Sequence, residues 1–283
     1  MTWTQRASVA DNWLSDVTYG NGLFVAVGDC GTILTSPNGV RSTEQASGTS
    51  DSLYGVAYGN GLFVAVGGSY DSSSSAILTS PDGVNWTQRT SPTSGPLYSV
   101  TYGNNTFVAV GDVGAILTSP DGVNWTARIS GTDDWLRGVT YGNNLFVAVG
   151  EGGAILTSPD GVNWMLRTPG GKDLFGVFGV AYGNGLFVAV GGSYDSSSSA
   201  ILTSPDGVNW TQRTSPTRDS LNGVTYGNGL FVAVGDRGAI LISTDGVNWT
   251  RLTSPTRYSL SSVTCGNGLF VAVGEEGIIL TSP

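Results

Sequence analysis

One phrase governs what this chain can become. GNGLFVAVGDxGAILTSPDGVNWT and close variants of it return through all 283 residues. Marked at the first residue of V-[TA]-[YC]-G-N, copies begin at Val17, Val56, Val100, Val139, Val180, Val224 and Val263, at intervals of 39, 44, 39, 41, 44 and 39 residues. A fixed period of about 40 to 45 residues is the length of a four-stranded propeller blade.

Each copy parses into four short strands, called a to d here. Strand a is L-x-[GS]-V-T-Y, and the Gly-Asn pair after it is the expected hairpin turn. Strand b, L-F-V-A-V, is β-branched and aromatic. A glycine-containing turn leads to strand c, A-I-L-T-S, and P-D-G-V leads to strand d, N-W-T-x-R. No segment carries an apolar period of 3.6. The expected class is all-β, a seven-bladed β-propeller with four antiparallel strands per blade, in one domain over residues 1–283.

A closed ring follows from the apolar runs. Leu145-Phe146-Val147-Ala148-Val149 and Ala154-Ile155-Leu156 read as strands buried on both faces, so each blade needs two neighbours. The last copy stops at Pro283 without a strand d. The chain opens Met1-Thr2-Trp3-Thr4-Gln5-Arg6, and Trp-Thr-Gln-Arg is the strand d of blades 2 and 5. Residues 1–6 are therefore expected to complete the seventh blade. Blade 1 is the most worn copy, because Ser42 stands where others have tryptophan; its outer strand, Thr43-Glu44-Gln45, is expected to be the least stable. Residues 56–93 and 180–217 are identical, which implies recent duplication or deliberate construction.

Composition removes several functions. A net charge of −9 with a single lysine, Lys172, offers no basic surface for nucleic acid or anionic membranes. No apolar run is long enough to span a bilayer, and no secretory signal precedes the first strand. No histidine and two cysteines, Cys30 and Cys265, leave no zinc or copper site, and no cofactor is expected. The two cysteines fall at opposite ends of the blades, which disfavours a disulfide.

Five copies read S-[PT]-D-G-V-N-W, with aspartates Asp82, Asp121, Asp160, Asp206 and Asp245. Here the chain resembles the Asp-box, or bacterial neuraminidase repeat, propellers, whose S-x-D-x-G-x-T-W turn is one residue longer before the tryptophan. The phrase V-G-x-x-G-x-I-L-x-S-x-D-G-x-x-W is also similar to repeats of the photosystem II assembly-factor propellers. The resemblance covers all seven blades and implies the fold. The box is structural in sialidases, xyloglucanases and non-enzymes alike, so these aspartates read as turn residues whose carboxyl accepts from amides two or three residues on.

A second acidic set, Asp29, Asp112, Glu151, Asp236 and Glu275 (with Glu276), falls in the b–c turns of five blades. It is either a ring that collects a cation or basic partner, or a set of solvated turn carboxylates; turn chemistry favours the latter. Arginines closing the outer strands (Arg6, Arg89, Arg128, Arg167, Arg213) read as guards against edge pairing.

Differences between copies concentrate in the d–a links and b–c turns, which share one face of the disc. Two residues before each mark stand Ser15, Tyr54, Tyr98, Arg137, Phe178, Asn222 and Ser261, expected to ring the channel mouth. Trp13, Trp135, Phe175, Tyr258 and the insertion residues Tyr70 and Tyr194 stand around them. These are the candidate ligand-binding residues, though they equally suit packing of loops over the channel. The best-supported function is a non-enzymatic, monomeric binding or assembly scaffold for a protein or glycan. A glycoside hydrolase is the second reading: Arg137, Arg218, Arg237 and Arg257 lie on the variable face, but only Arg137 is in the inner column, and no carboxylate pair is placed across a cleft. An amplified or engineered propeller without an evolved ligand is the third.

Overall fold

A computed structural model describes residues 1–70, 74–167, 176–193 and 198–283. These residues form seven four-stranded antiparallel sheets. Blade 3 shows the pattern: strand a, Leu97–Gly103; b, Thr106–Gly111; c, Ile116–Ser119; d, Thr126–Arg128. The a strands are innermost and pack blade against blade around the channel.

The ring closes as the repeated tetrapeptide requires. Thr4–Arg6 adds to Ile279–Ser282 in the register Thr4↔Thr281, Gln5↔Leu280 and Arg6↔Ile279. Trp3 is 5% exposed and joins a core shared with Val232 of blade 6 and Phe270 of blade 7. Its indole Nε1 has no partner among the described residues. In blades 2 to 6 that nitrogen donates to the glycine carbonyl of the preceding turn, as Trp125 does to Gly122 at 2.9 Å.

Burial on both faces is explained by the shared cores. Each core takes residues from two blades: Val25, Val27 and Ile33 of blade 1 meet Leu53, Phe63 and Ala65 of blade 2. The strand-b phenylalanine is fully buried in most blades and packs at a tilt against the strand-a tyrosine, with centroids 4.6 Å apart in blades 2 to 4.

Three local expectations are corrected. The hairpin turn is Asn60-Gly61, both at positive φ (49° and 74°), so the Gly-Asn reading is one residue early. Gly59 instead ends strand a, where a Cβ would lie 2.1 Å from the Tyr102 ring of the next blade. The tryptophan precedes strand d rather than opening it; the strand is three residues long, and two in blade 6, Thr250–Arg251. The edge arginines also cross-link, since Nε of Arg89, Arg128 and Arg213 donates to the strand-c threonine at 2.8 to 2.9 Å.

The five S-[PT]-D-G-V-N-W turns share one network. In blade 2, Ser80 Oγ and the Val84 and Asn85 amides all donate to Asp82 Oδ1, at 2.8 to 2.9 Å. Asn85 Nδ2 donates to Oδ2 at 2.7 Å. The backbone amide of the following asparagine, then its side chain, hold each of the five carboxyls well below the usual carboxylate range. Oδ1 of Asp82 is thus taken up by the turn, while Oδ2 accepts one bond.

Candidate functional site

The d–a links and b–c turns are hydrogen-bonded to one another, which fixes them on one face. Amides of Asp29, Glu151 and Asp236 donate to the carbonyls of Trp13, Trp135 and Ser220 at 2.9 Å, and Glu275 N–H to Ser259 at 3.0 Å. The b–c turns Asp29–Gly31, Asp112–Gly114, Asp236–Gly238 and Glu275–Gly277 each close as a single 3-10 turn with a positive-φ centre, such as Val113 at 49°.

All seven residues of the variable column line one cup at the channel mouth. Ser15, Tyr54, Tyr98, Arg137, Phe178, Asn222 and Ser261 enclose about 570 Å³ together with Trp13, Ser193, Ser220 and Asp236. A β-bulge in strand a sits at this column, between Leu136 and Gly138 for example, and turns each side chain over the channel.

The cup is chemically lopsided. On the side of blades 2 to 4, Tyr54 lies 5.8 Å from Tyr98, and Arg137 stacks its guanidinium 4.4 Å from the Tyr98 ring and 4.8 Å from the Trp135 ring. Arg137 also pairs with Glu151 at 2.6 Å. The Tyr70 and Tyr98 hydroxyls are hydrogen-bonded to each other. Burial, then the Tyr70 bond and charge, push the Tyr98 hydroxyl well above the usual phenol range; burial also raises Tyr54. Trp135 and Tyr70 thus brace the wall from behind instead of lining it. On the opposite side, Trp13 is 43% exposed and donates from Nε1 to Ser261 Oγ at 2.7 Å. Asn222 Nδ2 donates to Asp236 Oδ1 at 3.0 Å and to the Leu260 carbonyl at 3.1 Å. Tyr258 is exposed and is not among the residues lining the cup. Tyr194 and Phe175 lie outside the described residues.

The acidic set is partly occupied. Glu151 is held by Arg137, Asp236 by Asn222, and Glu275 accepts from the Ser259 amide at 3.1 Å. Oδ1 of Asp112 is buried without a hydrogen-bond partner among the described residues. Among the described residues no group of three or more His, Cys, Asp or Glu could hold a metal ion. Of the variable-face arginines, Arg237 pairs with Asp219 at 3.1 Å, and Asp219 also pairs with Arg251 at 3.0 Å.

One residue escaped the sequence reading. Asp16, directly below Ser15, faces into the channel. Its Oδ1 accepts from Ser262 Oγ at 2.6 Å and the Val17 amide at 2.9 Å, and its Oδ2 from the Val56 amide at 2.8 Å. Burial pushes this carboxyl up to about 6 against the lowering effect of those three bonds. The available signal was internal: the six equivalent residues are all glycine or serine.

No family model and no curated protein matches the chain. Among solved structures it is similar to YCF48 from Cyanidioschyzon merolae, at 18% identity over 99% of this chain and 98% of that one, with a TM-score of 0.76. YCF48 bound to D1 peptide aligns at 19% identity over 99% and 94%, with the same TM-score. Virginiamycin B lyase from Staphylococcus aureus aligns at 13% identity over 99% and 98%, with a TM-score of 0.85. The fold is shared; the sequence is not. No helix among the described residues is long and apolar enough to cross a membrane.

Proposed function

We propose that the chain is a non-enzymatic, monomeric binding scaffold whose channel-mouth cup receives a segment of a protein partner. The observation that carries this reading is the gathering of all seven variable residues into one cup on an otherwise repetitive frame. Aromatic faces at Tyr54, Tyr98, Phe178 and Trp13 alternate with Ser, Asn and Arg polar groups, a mixture suited to peptide side chains and backbone. The chain's acidity favours a basic or neutral segment. A structural neighbour solved with a bound peptide, YCF48, supports the same use of the fold. The five aspartate turns are consistent with Asp-box propellers, in which the turn is a structural device.

Catalysis has less support. A histidine-to-alanine variant of the lyase neighbour is catalytically inactive, and this chain has no histidine. A glycoside hydrolase would need two carboxyls flanking a bond, and among the described residues the one carboxylate lining the cup, Asp236, is bonded to Asn222.

A random-sequence peptide display library, a glycan array and fluorogenic glycosides test these readings together. Peptides enriched by the wild type and lost by Tyr54→Ala and Asn222→Ala would support the proposal. Glycan binding alone would replace the partner class, turnover would establish an enzyme, and silence in all three would leave a propeller with no evolved ligand.

A further inference from the structure

Blades 1 and 4 share a frame and differ in what fills it. Trp13 and Trp135 each stand four residues before the mark valine, and Asp29 and Glu151 each stand twelve after it. Strands a and b hold the same register, Leu14↔Gly28 in blade 1 and Leu136↔Gly150 in blade 4, with the bulge at the same place. The Asp29 amide donates to the Trp13 carbonyl and the Glu151 amide to the Trp135 carbonyl, both at 2.9 Å. Each turn is closed by one further bond of 3.0 Å, from Thr32 N–H to the Asp29 carbonyl and from Ala154 N–H to the Glu151 carbonyl. The backbone therefore presents the same tryptophan and the same carboxylate in both blades.

In blade 4 the chain fills the frame itself. Arg137 lays its guanidinium against Trp135 and pairs with Glu151, and Tyr98 of blade 3 closes the other side. Blade 6 repeats the polar half: Asn222, at the column position of Arg137, donates to Asp236, at the turn position of Glu151. A column donor on the turn carboxylate is thus a recurring joint. Blade 1 keeps the tryptophan and the carboxylate and lacks the donor. Ser15 stands where Arg137 does, and Ser261 of blade 7 stands where Tyr98 does, so both side chains that crowd Trp135 are small beside Trp13. The three ion pairs among the described residues join Arg137 to Glu151 and Asp219 to Arg237 and Arg251, which leaves Asp29 without a cation. Trp13 is the one exposed tryptophan among the described residues, and its bond to Ser261 pins the ring at the edge of the cup. Burial raises the Tyr54 hydroxyl, and the charges of Tyr70 and Asp29 add to it, so Asp29 acts on the same part of the cup wall.

We propose that blade 1 is a subsite for an arginine side chain of the partner segment, its guanidinium lying on the Trp13 face and pairing with Asp29 as Arg137 does with Trp135 and Glu151. The inference rests on the reading of the cup as a peptide site and adds which residue the segment carries and where. A guanidinium suits both contacts at once, because its plane stacks on an aromatic face while its fork of N–H donors meets a carboxylate. The net charge of −9 draws such a cation toward the molecule. The opposite wall already holds Arg137, so a second cation is disfavoured there. A bound segment is therefore oriented, with its arginine on the side of blade 1.

NMR of the full chain, following the Trp13 indole N–H, tests the subsite with N-acetylarginine amide and its uncharged isostere N-acetylcitrulline amide. The arginine amide should shift the Trp13 resonance, and the citrulline amide should bind roughly tenfold more weakly or worse. Asp29→Asn should weaken the arginine amide by roughly tenfold. Ser15→Arg, which supplies the cation from within as blade 4 does, should abolish its binding. Should Ser15→Arg not fold, the wild type and Asp29→Asn decide alone. An unmoved Trp13 resonance, equal binding of the two amides, or indifference to Asp29→Asn overturns the proposal. In the peptide library, arginine should recur among sequences enriched by the wild type and disappear from those enriched by Asp29→Asn. Enriched peptides without arginine would sink the subsite and leave the cup reading standing. Binding of the arginine amide with no peptide enriched would do the reverse.

Discussion

Arg6 Nε donates to Thr281 Oγ1 at 2.7 Å, joining residues 275 apart in the chain and repeating at the ring closure the bond that Arg128 makes to Thr118 within blade 3. The closure is thus chemically the same joint as an internal blade. Its apolar anchor is Trp3, buried beside Val232 and Phe270. Trp3→Ala should cost about 3 to 5 kcal/mol, the usual range for a buried tryptophan. Arg6→Ala should cost only about 1 kcal/mol, the net worth of one hydrogen bond. Chemical denaturation of both variants checks the order. Equal effects would mean that the latch is held by its edge bonds rather than its core.

Blade 1 offers the converse test. Ser42 occupies the position of the turn tryptophan, and its hydroxyl oxygen is buried without a partner among the described residues. A small cavity of about 20 Å³ remains beside it, bordered by Phe24, Gly39 and Val271. The turn itself survives, because Asn38 Oδ1 accepts from the Val40 and Arg41 amides at 2.9 and 3.3 Å. Ser42→Trp would remove an unpaired hydroxyl, close the void and present Nε1 to the Gly39 carbonyl. A gain of about 1 to 2 kcal/mol is expected. In a chain of this size that raises Tm by roughly 2 to 4 °C per kcal/mol, readable by calorimetry. A lower Tm would show that blade 1 has repacked around the serine.

Asp16 gives the chain a pH signature of unusual sign. Its folded pKa of about 6 lies above the ordinary value near 3.9. Between these limits the folded state binds the extra proton. Its contribution to stability is therefore full below about pH 4 and is lost as pH rises through about 6, at no more than about 1.4 kcal/mol per pH unit. The five turn aspartates act oppositely: their carboxyls are held low, so what they contribute is present above about pH 4 and lost on further acidification. Asp16→Ser, which places in blade 1 the side chain that blade 3 carries at Ser99, should flatten the stability profile between about pH 4 and pH 6 and leave the acid limb unchanged. A profile identical to wild type in that window would refute the assignment.

The blade count, the closure and the cup were legible because each is written in side chains that recur or differ at a fixed period. Trp3-Thr4-Gln5-Arg6 could be matched to Trp86-Thr87-Gln88-Arg89 by eye, and the column from Ser15 to Ser261 stands out because it varies in size, charge and aromaticity beside a repeat that otherwise changes little. What escaped needed a partner in another blade. Asp16 reads as one more short strand residue until the register brings the Val56 amide of blade 2 and Ser262 of blade 7 against it. The hairpin turn was placed one residue early because Gly59-Asn60-Gly61 is symmetric in sequence. The approach of Tyr102 to Gly59 and the positive φ of Gly61 distinguish the two glycines. The arginines looked like solitary edge charges because the threonine that Arg89, Arg128, Arg167 and Arg213 each meet lies ten residues earlier on the neighbouring strand, and that of Arg6 lies at the far end of the chain.

Blade 6 shows that this arginine–threonine joint is a unit. Strand c there reads Ile240-Leu241-Ile242-Ser243 where others have I-L-T-S, and Leu252 stands where blades 2 to 5 and 7 have arginine and blade 1 has Gln45, which donates to Thr35 Oγ1 at 2.9 Å. Both exceptions occur together, and Ile242 and Leu252 pack against the same core, the one that holds Trp3 and Val232. Leu252 keeps the backbone bond of the pair, donating to the Ile240 carbonyl at 2.9 Å. Ile242→Thr alone would set a hydroxyl beside a leucine that cannot donate to it, and Leu252→Arg alone would set a guanidinium beside an isoleucine. Each single change should cost about 1 to 2 kcal/mol. The double variant rebuilds the joint of blades 2 to 5 and should recover about 1 kcal/mol or more of the summed loss, a coupling that a double-mutant cycle reads directly. Strict additivity would mean that the two positions are independent, and that the arginine of the other blades serves only as an edge charge after all.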